Sequence, residues 1–121
     1  MRNFELGDLI AERRLTFEAT SGKTIDVVVR LGRPVQDLPN RSWVCPYQVL
    51  GLERDRVVGI FGADSMQALL LAVHTIPAEL SALMKNPGGR FLYYGEPEEG
   101  FFSACRLVVE IASGTSSARD E

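Results

Sequence analysis

Residues 62–89 read GADSMQALLLAVHTIPAELSALMKNPGG, and the reading of this stretch decides the fold. Met66, Leu69, Val73, Ile76, Leu80 and Leu83 recur at steps of three and four, the spacing of an amphipathic helix. Asp64 stands where an N-cap carboxylate accepts the first free backbone N–H groups, and Gln67 follows at capping-box distance. Lys85 suits the negative end of the helix dipole, and Asn86-Pro87-Gly88-Gly89 stops the helix. Pro77 lacks an N–H and its ring clashes with the preceding turn, so a kink or break is expected at His74 to Ile76.

Ahead of the helix the period is two. Leu15, Phe17 and Ala19 alternate with Arg14, Thr16 and Glu18; after the turn-type residues 20–23, Ile25, Val27, Val29 and Leu31 alternate again. Two such runs joined by a polar turn predict an antiparallel hairpin. Residues 32–40, with Pro34 and Pro39, read as a loop that leaves the sheet. Next comes SWVCPYQVL, residues 42–50, which as a strand sends Trp43, Cys45, Tyr47 and Val49 to one face. Val44, Pro46, Gln48 and Leu50 take the other face, and residues 56–61 form the return strand. Pro46 has no donor for a ladder, so it belongs on an edge strand or at a bulge. Both faces of this second hairpin are apolar, which implies a cover on each.

After the helix, residues 90–94 (RFLYY) predict a short aromatic strand and residues 95–100 an acidic turn or loop. Residues 101–112 fit either a strand or a helix, with β-branched residues favouring the strand. Residues 113–121 form a polar tail expected to be disordered. The sum is an α+β fold in one domain, residues 1–112. An antiparallel sheet of about five strands, two N-terminal hairpins plus one or more C-terminal strands, carries one long helix on one face. The helix should cover the face that holds Leu15 and Phe17.

Three segments carry a family resemblance: WVCPYQVLGL, then GADSMQALLLAV, then GGRFLYYG. In this order they resemble a family of small bacterial proteins of unknown function, over residues 43–95. The resemblance implies one bacterial α+β domain and brings no activity with it.

Composition narrows the function classes. With 121 residues, 45% of them hydrophobic and 24% charged, the chain is long enough to bury a core without disulfides or metal. Sixteen acids against thirteen bases leave a net charge of −3, spread along the chain, which argues against nucleic acid as the main partner. The apolar run Ala68 to Val73 is too short for a bilayer, and the first residues lack the apolar core of a signal peptide. A cytoplasmic protein without a membrane partner is expected.

The usual chemistries find little to work with. A nucleophilic Cys45 would need a base, and His74, the one histidine, lies off the apolar stripe of the helix. Cys45 and Cys105 have no close metal-ligand neighbours, and Glu96, Glu98 and Glu99 lack calcium-loop spacing. No phosphate loop or nucleophile elbow is present. No catalytic residue, metal site or cofactor is therefore assigned.

Association has better support. Ala68, Leu71, Ala78 and Ala82 lie off the main apolar stripe, so they are candidate contacts to a second copy or another protein. Trp43, Tyr47 and Tyr93 are candidate linings of a pocket between helix and sheet. Two functional readings follow: a non-catalytic binding or protein-interaction module that forms a homodimer, or a small enzyme or ligand-binding domain using that pocket.

Overall fold

The computed structural model describes residues 3–52, 55–85 and 88–97. The expectations for residues 101–112 and for the tail lie outside the described residues. The chain forms β1 (Leu9–Glu18), β2 (Thr24–Gly32), β3 (Val35–Asp37), a 3-10 turn (Leu38–Asn40), β4 (Ser42–Leu50) and β5 (Val58–Gly62). One helix, α1 (Ser65–Lys85), and two short strands, β6 (Arg90–Tyr93) and β7 (Glu96–Pro97), complete it. This is the expected α+β architecture, one helix on an antiparallel sheet, with seven strands rather than about five.

The two extra strands are short ones that carry no periodicity of their own. β3 lies in the stretch expected to leave the sheet; instead it pairs with the start of β4, Val35 opposite Val44 and Asp37 opposite Ser42. Trp43 and Val44 pair with both β3 and β5, and Tyr47 pairs with both β2 and β5. So β5 holds one edge of β4, while β2 and β3 share the other. Between them residues 32–34 face Cys45 and Pro46, three residues against two, which is a β-bulge. Pro46 falls in that interruption, where its missing donor costs the ladder least. β4 itself is a central strand and no edge.

From β2 the sheet continues through β1 to β6 and β7, all antiparallel. β6 and β7 join through Tyr94 and Gly95, whose φ angles are 53° and 80°. Two central residues with positive φ make the type I′ turn that matches the twist of a hairpin. The acidic loop expected here therefore begins as a tight turn.

Leu15, Phe17, Val27, Val29, Leu31, Cys45, Tyr47, Val49 and Phe91 send their side chains to one face and meet Ala68, Ala72, Ile76 and Leu80 of α1. The helix start is capped as its sequence requires: the Gln67 N–H donates to Asp64 Oδ1 at 2.8 Å, and Gln67 Oε1 accepts from the Ala63 N–H at 2.6 Å. Met66, counted in the apolar stripe, is 64% exposed. The helix runs through Pro77 as one element, so the expected break does not form. Pro77 is buried, and anchors stand on both sides of it: Ala72 before, Leu80 and Glu79 after.

The opposite face of the second hairpin is covered as well. Phe4 packs edge-on against Phe61, with ring centroids 5.8 Å apart. Any Cβ on Gly59 would strike the Phe4 ring, and one on Gly32 would strike the Leu6 carbonyl and the Pro46 ring. Residues 3–8 are thus a strap over the back of the sheet, and both expected covers are present.

Candidate functional site

Two regions bring functional side chains together. The first is where α1 leaves part of the sheet uncovered. Ala68 lies against Gly62 of β5 so tightly that a Cβ there would overlap its backbone nitrogen. Glu79 reaches Tyr47 on β4. The helix therefore lies along β4 and β5, and a crevice of about 240 Å³ opens between it and β1–β2. Val29, Leu31 and Ala11 form its floor, Val73 and Ile76 its wall, and Glu12 and Arg13 border it.

At this border the Arg13 guanidinium stands 4.4 Å from the Tyr93 ring centroid, a cation–π contact. Tyr93 in turn meets Tyr94 edge-on at 4.6 Å. Tyr94 is 89% exposed and sits in the left-handed region, a conformation that an aromatic side chain adopts at a cost. The sequence placed Tyr93 in a pocket but not Arg13 or Tyr94. The available signal was the alternation of β1 itself, which continues from Leu15 back through Arg13 and Ala11.

The candidates Trp43, Tyr47 and Tyr93 do not line one pocket. β2 and β1 lie between β4 and β6, so Tyr93 is on the far side of the sheet from the other two. Trp43 packs half-buried against the core, and Tyr47 is 1% exposed. The Tyr47 hydroxyl donates to Glu79 Oε1 at 2.5 Å. Burial, and then the adjacent carboxylate, push that phenol well above its ordinary range. The pair fixes the helix to the sheet and keeps its proton at any physiological pH.

Cys45 is fully buried, and its thiol donates to the Gly32 carbonyl at 3.5 Å, inside the bulge, rather than to His74. Burial pushes the thiol up to about 11, the opposite of what a nucleophile needs. Among the described residues no group of three or more His, Cys, Asp and Glu side chains could hold a metal ion. None of their helices is long and apolar enough to cross a membrane.

The second region is the flank of α1 above β5. Leu71 is 41% exposed, and Ala78 and Ala82 are exposed beside it. Ala68, the fourth candidate on this side, belongs to the core at 0% exposure and can meet no second chain. The reason is Gly62, which lets the helix backbone approach β5 closely enough to bury it.

Fold and site define a small α+β domain with one helix on an antiparallel sheet, no unpartnered buried side-chain polar atom among the described residues, and exposed apolar flanks. Among known families, residues 11–103 match the one described as "Domain of unknown function (DUF6968)", and the chain belongs to it. No curated protein matches the chain. No solved structure matches it either.

Proposed function

We propose that the domain is a non-catalytic interaction module that docks another polypeptide. The observation that carries this reading is the exposed apolar side chains of α1: Met66 and Leu70, one turn apart on one flank, are 64% and 43% exposed, and Leu71, on the other flank beside Ala78 and Ala82, is 41% exposed. Large apolar side chains left exposed along one element are what a docking surface presents and a solvated helix avoids. The exposed Tyr94 beside Tyr93 and Arg13 adds residue types that dominate interface energetics. A bacterial, cytoplasmic setting completes the reading; there a thiol such as Cys45 stays reduced.

A second reading rests on the crevice. An apolar floor bordered by Glu12 and Arg13 suits a small ligand with an apolar body and a polar end. Native mass spectrometry of protein purified without added ligand separates the two. Polypeptide association without an adduct supports the module. A stoichiometric small-molecule mass on a single chain overturns it in favour of the crevice.

A further inference from the structure

We infer that the crevice between α1 and β1–β2 is a docking groove for this chain's own residues 101–112, which lie over it as a second helix. The inference does not depend on the interaction reading, and it leaves the crevice no room for a small ligand.

The sheet face calls for such a cover. With its side chains a helix is about 10–12 Å across, so at about 4.8 Å per strand it covers two or three strands. The face from β5 through β4, β2 and β1 to β6 has five, and α1 lies along the first two. What it leaves is the crevice, with Ala11, Val29 and Leu31 beneath and Val73 and Ile76 beside. The charges at its border are engaged: Glu12 pairs with Arg30 and Arg14, and Arg13 stands over the Tyr93 ring. An apolar trough of this kind takes apolar side chains.

Residues 101–112, FFSACRLVVEIA, supply them. Nine of the twelve are apolar, too many for a solvated segment. A lone strand on a sheet face finds no ladder for its N–H and C=O groups, whereas a helix satisfies its own. On a helix Ser103, Arg106 and Glu110, spaced three and four apart, share one side. Phe101, Ala104, Cys105, Val108 and Ala112 share the other, so the side turned to the crevice carries no charge.

Position and length agree. Pro97, the last residue of β7, is opposite Leu92, and Leu92 is opposite Thr16 of β1. Four Cα steps from Pro97 to Phe101 span at most about 14 Å. β5 lies five strand spacings from β7, about 24 Å, so the segment must begin on the β6–β1 side of the face. From Thr16 to the crevice floor at Ala11 is five residues, about 17 Å along β1. A helix of twelve residues is about 18 Å long. Residues 98–100, ending in Gly100, turn the chain back towards Ala11.

Maleimide labelling of the full chain tests this, with mass spectrometry reading Cys45 and Cys105 separately. Cys45 is fully buried, so its protection reports the fold; Cys105, on the apolar side of the segment, reports the cover. In the native wild type both should resist a reagent that modifies both in urea. Val73→Asp and Ala11→Glu, which put a charge into the groove, should each speed Cys105 labelling about tenfold or more while Cys45 stays protected. Leu71→Asp, on the other flank of α1, should leave both protected. Prompt Cys105 labelling in a wild type whose Cys45 is protected overturns the inference. So does a protected Cys105 that neither Val73→Asp nor Ala11→Glu releases, since the segment then packs elsewhere; release by Leu71→Asp alone would put it on the other flank. Where Val73→Asp also exposes Cys45, and so fails to fold, Ala11→Glu decides. Whether the domain binds another polypeptide is read from association alone, so that reading stands or falls separately.

Discussion

Tyr94 is held at φ 53° with its ring almost wholly in solvent, in a turn whose preferred first residue is asparagine. Tyr94→Asn should therefore raise stability by about 0.5–1 kcal/mol, the strain of a left-handed non-glycine residue less the lost ring contact. Urea unfolding would show it as a higher midpoint at constant slope; a lower midpoint would mean that the ring contact with Tyr93 outweighs the strain. Cys45 makes a prediction in pH. Its thiol rises from 9.0 to about 11 on folding, so the folded state binds more protons than the unfolded state in that window. Stability from this group is complete below pH 9 and is lost as the pH rises towards 11. The unfolding midpoint of the wild type should fall faster across that window than that of Cys45→Ala, and identical profiles would remove the thiol from the account. The buried role of Cys45 was legible from sequence, because a strand face shared with Trp43 and Tyr47 and lacking a nearby base has no other use. The role of Arg13 was not legible, because its partner, Tyr93, is eighty residues away and only strand order joins them.

At the scale of elements the helix was the most legible feature, since period, cap and stop signals all lie within its own sequence. Asp64→Ala removes the carboxylate that accepts the Gln67 N–H and should cost about 1 kcal/mol by thermal unfolding. A loss below a few tenths would assign the capping to Gln67 alone. Of the kink or break expected at Pro77 the break does not form, because local rules count the lost hydrogen bond and the clash but not the packing. Here burial of Ala72 and Leu80 and the Tyr47–Glu79 bond hold both halves of the helix to one sheet. β3 was illegible for the complementary reason. Three residues cannot display a period, and Val35–Asp37 becomes a strand only because β4 is there to pair with it.

For the whole molecule, the sequence indicated that each face of the second hairpin needed a cover but not what supplied the back one. The strap contributes only Phe4 and Leu6, too few apolar residues to read as an element. Deleting residues 1–7 should therefore expose Gly59, Pro46 and Phe61, lower the melting temperature and increase binding of a hydrophobic dye. An unchanged melt would show that the strap only decorates the sheet. The strap also has a consequence for how the chain is made. Phe4 leaves the ribosome fifty-seven residues before its partner Phe61 (61 minus 4), and β1 precedes its neighbour β6 by more than seventy residues. A segment synthesised ahead of every strand of the sheet is thus among the last to find its place. Contacts so far apart in the chain slow folding, and anything bulky joined ahead of the strap would have to be carried across the back of a finished sheet before the domain could close.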